Sequence, residues 1–536
     1  MKAFKRYIVA AACTVAASCV NLDYNGNVAY DGRVSVSDLY AQLYNGEFEP
    51  GSAHFLAGAT DEAFYALPDG EVSNYWNGSW SAVNPHSCIW TDSYAAISKI
   101  CRCLENPDDI RPEDIRETLP YELRFLRAYF YFELFRAYGD VPLVTKTLSG
   151  EQADTLKRTP YDRIVKFIVD EVDEIATHLP VSYALEPGGG VGRATRCAAY
   201  ALKARTLLYA ASPLFNPTED KTKWEAAAEA SKYILDHARD WGFKLGNYDS
   251  LWGDEAFSNK EIILGVELDP SNAFEMANYP VGIENGHSGN CPSQSLVDQY
   301  EFQDNGQTFG ERYPENTMDL TINPYEGLDP RFFWTVVKNG DEWPSNGAQK
   351  KTMETFTGGF NGIPIYGATP SGYYLKKFVD GSCVTTADRQ TTSHHTWIIY
   401  RLAEFYLDFA EAAYRATGSA NDATFGMTAN DAVNVLRNRP SIQMPEITED
   451  GEAWVERYER ERLVELAFEN HRFWDVRRWK KGGKYFRSVQ VVSIFDGGNT
   501  ASRSEVIRIW DEKYNLFPVP ASEIRKNPNL TQNPGW

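Results

Sequence analysis

The stretch that most limits what this chain can fold into is 121–138, YELRFLRAYFYFELFRAY. Its apolar positions recur at i, i+3, i+4 and i+7 from several starting points. Phe125, Leu126, Tyr129, Phe130, Phe132, Leu134 and Phe135 therefore cover most of the helix circumference rather than one stripe. Such a helix must be enclosed by other helices, and its aromatics read as core with no chemistry of their own. Gly139 favours a left-handed stop and Pro142 forbids continuation, so 139–142 ends the helix sharply.

The neighbouring pattern supplies the partners. Helical periodicity begins near Ser37, with Ser37 or Asp38 as cap and Gly46 as stop. Helices then come in pairs: 92–104 with 121–138, and 161–177 with 195–211, followed by 223–236 and later by 397–417 and 429–437. In KWEAAAEASKYILD the seam residues Ala226, Ala230 and Tyr233 run small then large, which resembles tetratricopeptide repeats without a strict 34-residue period. The glycine run at 188–192 lacks the Gly-Lys-Ser/Thr ending of a phosphate loop and reads as a turn into a helix. A second strong element spans 452–479. There Glu461, Glu465, Glu469 and Arg472 share one face at spacings of four, four and three, and Arg462–Glu465 and Asp475–Arg478 can pair at i+3. These charges read as a structural ion network rather than a glycosidase carboxylate pair, which would need a cleft between them. From 240 to 396 the periodicity dissolves into long loops with short strands at 262–268 and 373–378, and loops of that length in a compact domain carry function.

Composition narrows the partners. With 53 basic and 74 acidic residues the formal charge is -21, and no basic stripe offers itself to phosphate backbones, so nucleic acid is excluded as a partner. The first residues read as an export signal over 1–18: Lys2, Lys5 and Arg6, an apolar run at 7–16 too short to span a bilayer, then small residues before Cys19. The small-small-Cys ending resembles a bacterial lipobox, which makes Cys19 the lipidation site and 19–36 a tether. Six further cysteines, Cys88, Cys101, Cys103, Cys197, Cys291 and Cys383, are too dispersed for a dense disulfide framework. Cys101-Arg102-Cys103 has no second pair and no nearby His, so it reads as two thiols and not as a metal site. No metal or cofactor is expected. The chain shows no H-E-x-x-H, no G-x-S-x-G and no Walker lysine motif, and no catalytic residue is assigned.

Aromatics make up 14% of the residues, with 14 Trp and 31 Tyr, more than a core requires. Rings in turn-forming loops are candidates for stacking on the C–H faces of sugars, with neighbouring amides and carboxylates meeting the hydroxyls. The prime candidates are Trp76, Asn77 and Trp80 in NYWNGSWSAVNPHSCIW. Tyr279, His287 and Asn290 follow in the 279–290 loop, and then Trp343 and Tyr366. Trp334, inside FFWTVV, reads as core.

Several stretches together resemble one family, the SusD/RagB-like outer-membrane lipoproteins of Bacteroidetes. They are RFLRAYFYFELFRAYGDVPLV at 124–144, GRATRCAAYALKARTLLYAASP at 192–213, LDPRFFWTVVKNGDEW at 328–343, YRLAEFYLDFAEA at 400–412, ERLVELAFENHRFWDVRRW at 461–479 and LFPVPASEIRKNPNLTQNPGW at 516–536. The resemblance implies a mainly α fold in which a helical core with tetratricopeptide-like helix pairs is joined to a loop-rich region with short strands. Residues 37–536 would form one domain, with helical core at about 37–238 and 397–480, a loop-rich ligand-binding region at about 240–396 and a C-terminal segment, 481–536, packing back. It further implies a lipid anchor at the outer face of the outer membrane and a SusC-like TonB-dependent transporter as partner, for which the protein captures glycan without cutting it. Peptide or another non-glycan nutrient is the alternative cargo for the same fold.

Overall fold

A computed structural model describes residues 32–44, 55–67, 71–183, 192–253, 256–267 and 269–536. The export signal, Cys19, the Gly46 stop and most of the 188–192 glycine run lie outside these residues.

The helix expected at the centre is there, at Leu119–Tyr138, and Phe125, Leu126, Tyr129, Phe130, Phe132, Leu134 and Phe135 are all buried. It packs between Ile89–Glu105 and Tyr161–Ile175. Gly139 takes φ 71° and donates its N–H to the Phe135 carbonyl at 2.8 Å, which closes the helix as its sequence predicts. Buried polar groups on this helix are paired. Burial alone would raise the Glu122 carboxyl, but hydrogen bonds from Arg116 and Arg193 outweigh it and hold the group at about 2.

Beyond Tyr161–Ile175 the helices continue as a stack, each packed on the next: Arg196–Ala211, Lys221–His237, Leu402–Thr417 and Ala429–Arg437. The step from Lys221–His237 to Leu402–Thr417 spans the loop-rich region, so the stack closes across that insertion. The loop-rich region has its own apolar core, in which Tyr279, Phe302, Phe332 and Tyr373 pack with Leu463, Val464 and Phe468. The fold is mainly α, with the short strands confined to small sheets.

Four boundaries differ from the sequence reading. The first helix, Val36–Ala41, is capped by Ser35, whose Oγ accepts the Asp38 N–H at 3.4 Å, so Ser37 and Asp38 lie inside it. Residues Thr396–Arg401 form a strand antiparallel to Ile262–Glu267, and the helix starts only at Leu402. TWIIYR is rich in β-branched and aromatic residues, and a waiting edge decides its state. The 452–479 element is two helices, Gly451–Glu465 and His471–Arg478, separated by left-handed Phe468 (φ 61°) and Asn470 (φ 62°). The break turns the Phe468 N–H onto the buried Glu62 carboxylate at 3.0 Å. Consequently Arg462 bridges Asp475 and Asp408, at 2.7 and 2.6 Å, instead of meeting Glu465, while the Asp475–Arg478 pair holds at 2.9 Å. The strand placed at 373–378 is reduced to Tyr374–Leu375, paired with Val336–Val337.

The glutamate face of Gly451–Glu465 is the hub of a buried ion network. Glu461 bonds Arg331 at 2.6 Å and Arg437 at 2.5 Å. Glu465 bonds Arg401 at 2.7 Å, Arg331 at 2.9 Å and Arg439 at 2.5 Å. Glu469 bonds Lys377 at 2.6 Å and Arg401 at 2.7 Å. Burial would raise the Glu465 carboxyl, yet Arg439, Arg401 and Arg331 hold it far below the usual carboxylate range. Glu465→Ala leaves three buried guanidinium groups short of a partner, and urea titration at neutral pH is expected to read a loss of about 3–5 kcal/mol. Acid acts through the same groups. A carboxyl such as Glu122, at about 2 when folded against 4.5 when free, contributes stability that is complete above 4.5 and lost as pH falls toward 2. Thermal melts across that window are expected to show a steep decline in Tm.

Candidate ligand-binding cleft

The sequence candidates scatter. Trp80 is 3% exposed, its ring centroid 4.9 Å from those of Tyr75, Phe517 and Trp536, and its indole N–H donates to the Pro85 carbonyl. Its turn-rich neighbourhood hid this, because the rings that cover it come from the far end of the chain. Trp76 is half-buried, with the Arg508 guanidinium 4.8 Å from its ring centroid, while Asn77 is exposed and folded onto Asn74. Tyr279 is fully buried, and its hydroxyl donates to the carbonyls of Asp380 and Cys383. Asn290 is also buried, in a short strand against Tyr65. Trp80, Tyr279 and Asn290 thus have no face at the surface to offer a ligand. His287 is exposed, and Tyr366 is 75% exposed.

One candidate, Trp343, lines a surface cleft of about 340 Å³ together with Trp252, Trp334, Lys376, Asp249, Asp380 and Ser382. The cleft is built outward from Tyr248. This buried ring stacks with Trp334 at 5.8 Å between centroids and meets Trp252 edge-on at 5.3 Å, so both indoles stand half-buried at fixed angles. The Tyr248 hydroxyl accepts from Lys377 Nζ at 2.9 Å, and Lys377 is paired with Glu469. Trp334 rides on Pro330–Thr335, a short helix capped by Asp329, and Arg331 of the same helix reaches Glu461 and Glu465. Both walls are therefore bolted to the ion network.

Trp343 forms the floor, 7% exposed, with its indole N–H lacking a hydrogen-bond partner. Gly381 lies against it so closely that an added Cβ would come within 2.7 Å of the ring. The 380–383 turn is held by Tyr279, by Glu275, whose carboxylate accepts the Asp380 N–H at 3.0 Å, and by the Asn346 N–H on Gly381 O at 2.8 Å. Buried Tyr279 therefore positions the wall without touching the cleft space. Asp380 uses Oδ1 to accept from the Ser382 N–H and hydroxyl, at 2.8 and 2.7 Å, leaving Oδ2 toward solvent. Lys376 donates to the Phe333 carbonyl at 2.8 Å.

Trp252 and Trp334 were not among the sequence candidates. Trp252, in NYDSLWGDEAF, satisfies the same rule of a loop aromatic beside Gly and Asp, and that signal was available. Trp334 sits among Phe332, Phe333 and Val336, so local hydrophobicity concealed its half-exposed side. The glutamates at 461, 465 and 469 are consumed by arginine and lysine partners, as the ion-network reading requires. Burial pushes the thiols of Cys103 and Cys383 up to about 11 and that of Cys291 to about 12, which leaves them unreactive. A second cavity, of about 70 Å³ beside Tyr129, Arg205 and His471, is too small for a sugar ring.

Comparison with known proteins identifies the fold. Residues 260–536, more than half of the chain, match the model of the SusD family. The chain belongs to the SusD family. Residues 27–208 also match a model described as starch-binding associating with outer membrane. A SusD-like protein, P25, from Formosa agariphila is 24% identical over 83% of this chain and 78% of its own length. The starch-binding protein SusD of Bacteroides thetaiotaomicron is 23% identical over 77% of this chain and 72% of its own. Among solved structures, a SusD-like protein from Bacteroides fragilis aligns with TM-score 0.78 and 28% identity over 93% of this chain and 96% of that one. A laminarin-binding SusD-like protein shares the fold at TM-score 0.63, with 21% identity over 93% of this chain and 97% of its own.

Within this SusD-family fold, Trp80 and Tyr366 make opposite predictions. Trp80→Ala removes a ring from a closed aromatic cluster and is expected to cost about 3–5 kcal/mol in chemical denaturation. Tyr366→Ala, at a solvent-facing ring, is expected to stay within about 0.5 kcal/mol of the parent.

Proposed function

We propose that the protein is a non-catalytic glycan-binding lipoprotein of the outer membrane that captures oligo- or polysaccharide at the cleft lined by Trp252, Trp334 and Trp343. The observation that carries this reading is the cleft itself: two half-exposed indoles held rigid by Tyr248, beside a carboxylate rim. A sugar ring has flat C–H faces edged by hydroxyls, and indoles fixed in advance stack on those faces without losing rotamer freedom on binding. Membership of the SusD family supports the sugar-binding assignment, as do relatives whose names record binding of starch and laminarin.

Two further parts of the reading rest on the sequence and the family. Cys19, after its export signal, would carry the lipid that holds the body at the outer face, in keeping with the outer-membrane association named for the match at 27–208. The partner would be a SusC-like TonB-dependent transporter to which the bound glycan is handed.

The test is affinity electrophoresis through gels containing single polysaccharides. Trp252→Ala/Trp334→Ala is expected to lose retention by about tenfold or more while keeping a cooperative unfolding transition, since stacked aromatic contacts dominate such sites. Unchanged retention in this double variant would remove the cleft from the function, and shortened products after incubation with the glycan would overturn the non-catalytic assignment.

A further inference from the structure

The polar chemistry of the cleft is asymmetric. Among the described lining residues its one cation is Lys376, whose Nζ spends one of its three N–H donors on the Phe333 carbonyl at 2.8 Å and lies 5.7 Å from the Trp343 ring centroid. Burial lowers its affinity for the proton. The carboxylates are the reverse. Asp249 is exposed and its side chain has no partner among the described residues, and Asp380 leaves Oδ2 unused. The remaining unmet group is the Trp343 indole N–H, buried in the floor without a partner. A ligand entering here meets two acceptors carrying negative charge and one ammonium with donors to spare.

Three physical consequences converge. A carboxylate accepts from two donors at once, which matches adjacent hydroxyls on a sugar, and such charge-assisted bonds are about twice as strong as neutral ones. A uronate or sulfate group placed in the same cleft would face two like charges against the single ammonium of Lys376 among the described lining residues. The field of the whole molecule, at a formal -21, repels polyanions before they arrive.

We infer that the cleft selects neutral glycans, with Asp249 and Asp380 accepting hydrogen bonds from paired sugar hydroxyls, and that it rejects uronate and sulfated chains. This inference rests on the glycan-binding reading of the cleft, and the experiment separates the two. The full protein and two variants, Trp252→Ala and Asp249→Asn/Asp380→Asn, are run by affinity electrophoresis and calorimetry. The panel holds neutral polymers (amylopectin, laminarin, glucomannan, galactomannan, arabinoxylan) and anionic ones (polygalacturonate, alginate, heparin, carrageenan). Asn at 380 keeps the oxygen that accepts from Ser382, so the turn survives the substitution.

The expected result is retention by a neutral polymer, insensitive to added salt, weakened about tenfold or more by the paired Asn substitutions and lost in Trp252→Ala. Retention by a polyuronate or sulfated polymer that Trp252→Ala abolishes would overturn neutral selection and leave the cleft standing. Retention by a neutral polymer lost in Trp252→Ala but unmoved by the Asn pair would overturn the acceptor role. Absence of retention across the panel, or retention indifferent to Trp252→Ala, would overturn the cleft and the selectivity together.

Discussion

The interaction on which the rest depends is the convergence of Arg331, Arg401, Arg437 and Arg439 on Glu461 and Glu465. A single unpaired charge at that depth would cost several kcal/mol, so none of these groups can move without its partners. That constraint is what joins the two halves of the molecule. Arg331 comes from the loop-rich region, Arg401 from the end of a strand, and Arg437 and Arg439 from the end of a helix and the turn after it. Two helices and a strand, distant in sequence, are registered at one helix face by geometry that hydrophobic contact, being non-directional, would not enforce.

The same registration reaches the surface. Arg331 is two residues before Phe333 and three before Trp334, and Lys377, tied to Glu469, follows Lys376 directly. Tyr248 touches Lys377 and stacks on Trp334, so the cleft is one layer of side chains removed from the ion network. A loop-rich region would ordinarily lose affinity to the ordering of its own loops on binding; here that ordering is completed during folding. The unusual content of buried arginine and glutamate is therefore an investment in shape rather than in net stability.

How much of this was legible depends on whether the deciding contact is local. The central helix was readable because its apolar residues enclose it on every side, and any fold must bury it. The spacing put Glu461, Glu465, Glu469 and Arg472 on one helix face, but the helix ends at Glu465, so Glu469 joins the network from the break and Arg472 turns away to Asp61. The strand at Thr396–Arg401 was misread as helix because its pairing edge, Ile262–Glu267, lies across the insertion. The break at 466–470 carries no Gly or Pro; it exists because the Phe468 N–H meets Glu62, a contact no local pattern encodes. For the site, turn-rich composition located loops but not exposure. It selected Trp80 and Tyr279, which distant segments cover, and passed over Trp334, which stacks on buried Tyr248 yet remains half-exposed.

The C-terminal strand of contacts bears on how such a molecule is made. The Phe517 N–H donates to the Ala137 carbonyl, and Asn533 Nδ2 donates to the Tyr138 carbonyl, 395 residues away in sequence. Arg158 clasps Tyr138 O, Thr531 O and Asn533 Oδ1 at the same spot. The central helix therefore stays uncovered at one end until residues 517–533 have been synthesised and have docked. Assembly with such distant pairings is slow and leaves greasy surface open to aggregation meanwhile.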